Sequence, residues 1–410
     1  MKKKFPAISL SIACVAFLLL LVAVFGKDRM SPDMFKSMFA GFFAEKLTTE
    51  QLKEDYVYAI EDEGSKKIKI LIAPGHNESS PGAAFLNLRE VDMTAELGEE
   101  IFGLFKNDDH YEAVLLRGKN GDHPDFTEYF NRERENIARV RDRKRAQMKN
   151  YISDGLIRKE EPIPHVTVPE ETSLRLYGIN MWADEIGASI VLNLHFNDYP
   201  RKRINLPGEY SGFSIYIPYD EYGNARVSEA IAEKVLSRLL KYYFVSTYPK
   251  EGIGIIPDWE LISLGANDTL KAASLLIEYG YIYEPQFKYS QTRKVLMRDM
   301  ALKTYLGVQD FFGGTSTALS DTAILPYLWD EDISQGDEGK VSVLALQAAL
   351  ASAGFYPPLG KTRDDCPLTG VFKECTRSAL ASFQENVGVS VNGSIAGPKT
   401  RESLNNLFGR

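Results

Sequence analysis

From residue 67 to residue 280 the chain alternates short apolar runs with stretches of helical periodicity, and this alternation restricts the fold more than any other feature. IKILIA (68–73), AVLLR ending at Arg117, SIVLNLH (189–195), FSIYI (213–217) and SLLIEYG (274–280) have the length and apolar density of buried strands. Between them, residues 94–105, 172–186 and 228–243 place apolar side chains at helical spacing. Strands that are apolar on both faces must be covered on both, so the order predicts an α/β domain, a mostly parallel sheet flanked by helices.

Two segments depart from the alternation. Residues 121–171 hold the charged run RERENIARVRDRKRAQMKN and then the proline-rich EEPIPHVTVPE, an insertion that reads as a solvated helix with an irregular return. Residues 315–338 are rich in Ser, Thr, Asp and Gly and read as a linker. Helical spacing at 341–353, 376–386 and 400–407, with glycines between, then predicts a small three-helix domain over 339–410. The α/β domain occupies 67–314.

Lys2, Lys3 and Lys4 precede an uncharged, largely apolar run at 5–25. About 20 apolar residues span a bilayer, whereas a cleavable signal has an apolar core of about 7–15, so 1–27 reads as a signal anchor, with cleavage after Gly26 as the alternative. Either places the remaining chain outside the cytoplasm. Residues 28–66 form a helical spacer in which Met34, Phe35, Met38, Phe39, Phe42 and Phe43 recur at helical spacing, to pack on the protein or lie on the membrane. A net charge of -8 argues against nucleic acid as a partner, because such affinity is built from clustered Lys and Arg. Cys14 lies in the apolar run, which leaves Cys366 and Cys375 as a pair that could bridge or could simply be two small buried residues beside a turn.

The histidines are His76, His110, His123, His165 and His195. His76 and His195 follow the first and third apolar runs, at the strand ends where ligands gather in open α/β sheets. With Glu90, which opens a helix, they make a three-ligand zinc set that leaves a position for water. Glu278, in the otherwise uncharged LLIEYGY, would supply the carboxylate that moves the proton. A histidine after a strand can equally be a satisfied loop residue, and such a glutamate can cap a helix.

APGHNESSPGAAF, LREVDMT, VLNLHFND and LLIEYGY occur in the order and approximate spacing of the zinc-dependent N-acetylmuramoyl-L-alanine amidases of the amidase-3 type, which residues 67–314 resemble. The resemblance implies that His76, Glu90 and His195 bind one Zn2+ and that Glu278 is the catalytic acid/base. The bond cut joins the muramic acid lactyl group to the stem peptide of peptidoglycan. Arg117, Arg175, Asn180 and Gly212 also match the family pattern, as structural residues. Asn197 matches too, to hold substrate or to fix its loop, the loop being favoured. His76 is followed by Asn77, Glu78 and Ser79 where the family usually has a Gly-Gly-x-Asp type turn, which adds a carboxylate near the metal. The insertion lies where some members carry an occluding helix, so it is expected to regulate access, with a protein regulator as a partner. A surface decoration is the other reading.

LQAAL (346–350), TGVFKECTRSALASFQENVG and NGSIAGPKTRESL resemble the three-helix peptidoglycan-binding domain appended to many wall hydrolases. Its presence implies peptidoglycan as the partner and raises the local substrate concentration. A carboxypeptidase with the same metal centre and a non-catalytic wall-binding scaffold are the competing functions. The intact set of His76, Glu90, His195 and Glu278 argues against the scaffold.

Overall fold

A computed structural model of the chain describes residues 47–61, 67–155, 163, 168–314 and 321–409. The expected anchor, the aromatic stretch at 34–43 and His165 lie outside these residues. Helix α1 (Thr49–Glu61) leads to strand β1 (Ile68–Pro74). A hairpin of β2 (Ala84–Phe85) and β3 (Leu88–Arg89) precedes α2 (Glu90–Lys106), and the chain returns to the sheet in β4 (Tyr111–Leu115). A second hairpin, β5 (Arg117–Gly118) and β6 (Gly121–Asp122), is followed by α3 (Pro124–Ser153) and α4 (Glu170–Glu185). Then come β7 (Ile190–Asn197), β8 (Ser214–Pro218), α5 (Ala225–Leu239), β9 (Ile255–Asp258), β10 (Ala273–Tyr281) and α6 (Ser290–Phe312).

Six strands form one sheet in the order β4-β1-β7-β10-β8-β9, parallel throughout except where β10 meets β8. Side-chain alternation along β1 and β7 feeds two cores. Ile70, Ile72, Ile190, Leu192 and Leu194 pack with residues of α2, α5 and α6, such as Leu97, Val235 and Leu306. Leu71, Ala73 and Val191 face the other way, onto Leu174, Tyr177 and Trp182 of α4 and Phe126 and Ile137 of α3. The same alternation puts Asn193, His195 and Asn197 on the α4 face. From β1 the chain steps outward to β4 and then back across to β7, so the sheet has its switch point at the C-terminal ends of β1 and β7.

The insertion helix differs from a solvated one. α3 buries Phe126, Tyr129, Ile137 and Met148. Its charges also find partners, Arg134 with Glu171 and Arg141 with Glu170. The apolar stripe is real but diluted by the charges between its members, so sequence periodicity does not bring it out.

The segment expected as a linker is packed against the protein over its described residues, 321–338. Thr322, Ile324, Trp329 and Ile333 are buried, and Trp329 Nε1 donates to Ser342 O at 3.0 Å. β11 (Ile333–Ser334) pairs with β12 (Ile395–Ala396) beneath helices α7 (Val341–Ser352), α8 (Glu374–Asn386) and α9 (Pro398–Phe408). A few large apolar residues in a Ser- and Asp-rich segment suffice to seat it. The core is continuous from Leu296 and Met300 of α6 to Leu346 and Phe372 of the C-terminal helices and loops.

Candidate metal centre

β1 runs into Gly75 and His76, and His76 adopts a left-handed backbone (φ 67°), an uncommon conformation for a residue with a side chain. The turn is held from beneath. Arg117 Nη2 donates to Gly75 O (2.9 Å), Val91 O (3.1 Å) and Thr94 Oγ1 (2.9 Å), and Thr94 Oγ1 donates to Gly75 O (2.9 Å). Position 75 needs glycine, because a Cβ there would lie 2.3 Å from the His195 ring. A Cβ at Gly82 (φ +74°) would lie 2.4 Å from Glu90 Oε2.

Glu90 opens α2 and is 4% exposed. Its Oε2 sits 3.1 Å from His76 Nε2 and its Oε1 3.1 Å from His195 Nδ1, while the backbone N–H groups of Ala83 (2.8 Å) and Phe196 (3.1 Å) donate to the two oxygens. His76 Nδ1 faces Ser80 O at 3.2 Å, which makes Nδ1 a donor and reserves Nε2 for a ligand. Burial opposes the ionised form of Glu90, yet its bonds and charge contacts with His195 and His76 outweigh that and hold the carboxyl well below its usual range. Burial keeps His195 below the ordinary imidazole value. At His76 the burial is outweighed by Glu90, so its pKa rises.

Register places Glu278 of β10 beside His195 of β7. Burial raises its carboxyl well above the ordinary value, and the charges of Glu90 and Glu251 add to the effect. Its Oε2 is buried without a hydrogen bond. The structure therefore brings all four sequence-predicted residues together: His76, Glu90 and His195 offer ligand atoms within 4.8 Å of one another, and Glu278 lies alongside. Two imidazole nitrogens and a carboxylate oxygen so spaced suit a tetrahedral zinc ion with one open position.

Asn197 donates through Nδ2 to Glu251 Oε1 at 3.1 Å. Glu78 turns to Arg89 at 2.7 Å on exposed ground. Arg175 grips Asp122 with two 2.8 Å bonds, and Asn180 donates to Ile262 O at 2.6 Å. His110 stacks on Tyr56 and bonds Asp108, and His123 lies against Trp182, both outside the cluster. Cys366 and Cys375 are joined as a disulfide. Sequence reading missed Glu251, a buried acid that accepts from Asn197, Tyr216 and Tyr281. A lone glutamate in a turn carries no pattern that marks it.

Residues 70–310 match the Amidase_3 family of N-acetylmuramoyl-L-alanine amidases. The chain belongs to that family. Residues 340–404 match a peptidoglycan-binding domain. No curated protein matches the chain. Similar solved structures include the amidase AmiC2 of Nostoc punctiforme, at 17% identity over 60% of this chain and 98% of that one, TM-score 0.37. The amidase CwlD of Clostridioides difficile, solved with the GerS lipoprotein, shares 15% identity over 60% and 99%, TM-score 0.39. The amidase Ami1 of Mycobacterium smegmatis shares 14% over 60% and 99%, TM-score 0.38. The assignment rests on the family match. The protein is an N-acetylmuramoyl-L-alanine amidase of a zinc-dependent family, with a domain that binds peptidoglycan, and an enzyme of the wall works outside the cytoplasm.

Proposed function

We propose that His76, Glu90 and His195 hold one zinc ion and that Glu278 is the acid/base that cleaves the bond between the muramic acid lactyl group and L-alanine. The observation that carries this is the Glu278 carboxyl, on the strand residue paired with His195 and with its Oε2 buried and unbonded. A zinc ion held there would polarise the scissile carbonyl and make water a better nucleophile. Glu278 takes the proton of the attacking water and passes it to the departing nitrogen. Glu90, braced by two backbone N–H groups, keeps both imidazoles oriented.

Residues 339–410 bind the wall, 67–314 carry out the hydrolysis, and 1–27 anchor the enzyme in the membrane. The insertion at 121–171 controls access to the zinc under a protein regulator. Supporting this, Ile163 packs on the cluster of Tyr216, Ile256, Leu264 and Leu276, and Leu276 is two residues from Glu278 on β10. Shortening the return segment at 156–167, which spares the α3 residues that build the core, should raise activity; unchanged turnover would count against control.

The test of the chemistry is mass spectrometry of the soluble products from purified peptidoglycan, using the full chain with and without zinc beside Glu278→Ala. Zinc-dependent release of stem peptides beginning at L-alanine, lost in the variant, is expected. Products that start at another residue would overturn the proposed bond.

A further inference from the structure

We infer that Asn197, Tyr199, Tyr210 and Tyr248 form a subsite for the N-acetylated sugar ring next to the scissile amide. The inference rests on the zinc amidase reading above. Asn197 follows His195 by two residues on β7, so their side chains leave the same face with Cα atoms about 7 Å apart. Its Nδ2 donates to Glu251 Oε1 at 3.1 Å. Because a carboxylate can only accept, this bond fixes the direction of the amide. Oδ1 is left over, and no described residue donates to it. Glu251 is itself braced, since its Oε1 also accepts from Tyr216 OH (2.6 Å) and its Oε2 from Tyr281 OH (3.1 Å). Asn197 thus presents a fixed acceptor, one strand repeat from a metal-ligand His195.

Three tyrosine rings converge on one another from the loops that follow Asn197 and precede Glu251. Tyr199 lies two residues beyond Asn197, and Tyr248 lies three before Glu251. Ring centroids are 4.5 Å apart for Tyr199 and Tyr210, 4.9 Å for Tyr210 and Tyr248, and 5.5 Å for Tyr199 and Tyr248. Each ring is half-buried, so part of it meets solvent. Arg201 holds the loop that carries Tyr199 and Tyr210 by bonds to Asp198 (3.0 Å), Ala84 O (2.9 Å) and Ile204 O (2.6 Å). The platform is therefore fixed before any ligand arrives.

The substrate extends from the scissile bond in two chemically different directions. The peptide arm carries free carboxylates and calls for cations. The sugar arm is uncharged, offers an acetamido N–H, and has faces of C–H bonds that suit the electron-rich face of a tyrosine ring. An uncharged aromatic platform with one fixed acceptor matches the sugar arm. In muramic acid the acetamido group and the lactyl ether sit on neighbouring ring carbons, so the acceptor for that N–H has to lie close to the metal, as Asn197 does.

The test uses the full zinc-loaded chain on three soluble substrates with the same stem peptide: the N-acetylmuramoyl peptide, its 2-deoxy counterpart with hydrogen in place of the acetamido group, and a lactoyl peptide with no sugar. Wild type should favour the acetamido over the 2-deoxy substrate by about five- to tenfold in kcat/KM, the scale of one neutral hydrogen bond. Asn197→Ala should shrink that preference to within about twofold. Tyr199→Leu with Tyr248→Leu should raise KM several-fold more on the sugar-bearing substrates than on the lactoyl peptide. Should the double variant not fold, wild type still decides the platform, because equal KM with and without the sugar refutes it. Variants that keep the wild-type ratios overturn the subsite and leave the amidase reading intact. No peptide release by wild type from any substrate overturns both.

Discussion

Replacing Glu284 with glutamine should stabilise the protein at neutral and alkaline pH and do little in acid. Glu284 is 3% exposed; its Oε1 accepts from the backbone N–H groups of Gly212 (3.0 Å) and Tyr281 (2.6 Å), and its Oε2 from Gln286 Nε2 (2.6 Å). Burial pushes its carboxyl up to about 7 from an ordinary 4.5, although those hydrogen bonds pull the other way. An acid raised in this way holds its proton more tightly folded than unfolded. Its contribution is therefore most favourable below pH 4.5, declines as the pH rises to 7, and stays reduced above. Roughly 2.5 pH units at about 1.4 kcal/mol each put the loss near 3 kcal/mol. Glutamine keeps the oxygen that accepts from Gly212 and Tyr281. Its new N–H group also has a partner within reach, because Gln286 Oε1 is buried without a hydrogen bond and a flip of that amide presents it. The variant should thus gain about 2–3 kcal/mol at pH 8 and under about 1 kcal/mol at pH 4.5. Urea unfolding followed by tryptophan fluorescence, on metal-free wild type and variant at both pH values, measures the difference. A gain of the same size at both would refute the reasoning, since it would not come from ionisation.

Glu278→Gln should lower kcat by about 100- to 10,000-fold while bound zinc, measured by elemental analysis, stays at the wild-type level. Chelation should stop peptide release and lower the melting temperature without unfolding the chain, because Glu90 already bridges both histidines; zinc at about 100 times its Kd adds about 2.7 kcal/mol. Cys375→Ser opens a disulfide with a sequence separation of 9 and should cost the C-terminal domain about 2–3 kcal/mol, read by calorimetry against the disulfide-bonded wild type, with the reduced wild type matching the variant.

Strands β1, β7 and β10 were legible because burial on both faces makes a strand apolar along its whole length. Helix starts were less so. α4 begins at Glu170, ahead of the apolar spacing, where acids favour the helix N-terminus but add nothing to a hydrophobic pattern. The antiparallel meeting of β10 and β8 follows from how the connections cross, which residue type does not encode. In the site, His76 follows a strand, Glu90 opens a helix, and His195 and Glu278 are ionisable residues set in otherwise apolar strands, so all four stood out. Glu251 and the three tyrosines come from separate loops, and only tertiary packing brings them to Asn197.

The C-terminal domain and the amidase domain should unfold together, which a linker between independent domains would not require. Asp299 of α6 is fully buried and accepts from Tyr243 OH (2.8 Å), Thr322 Oγ1 (2.6 Å) and the Ala323 N–H (2.9 Å). Two of those three donors lie beyond residue 314. Lys303, also buried, donates to the Asp321 carbonyl. A chain ending at Gly314 would leave both groups inside α6 short of partners, at about 1–3 kcal/mol each, and would uncover the apolar residues that α7 packs against. Calorimetry of the full chain should then show one main transition, with the truncated chain melting several degrees lower. Two transitions in the full chain, the amidase one unmoved by truncation, would mean that this junction adds nothing to the stability of the amidase fold.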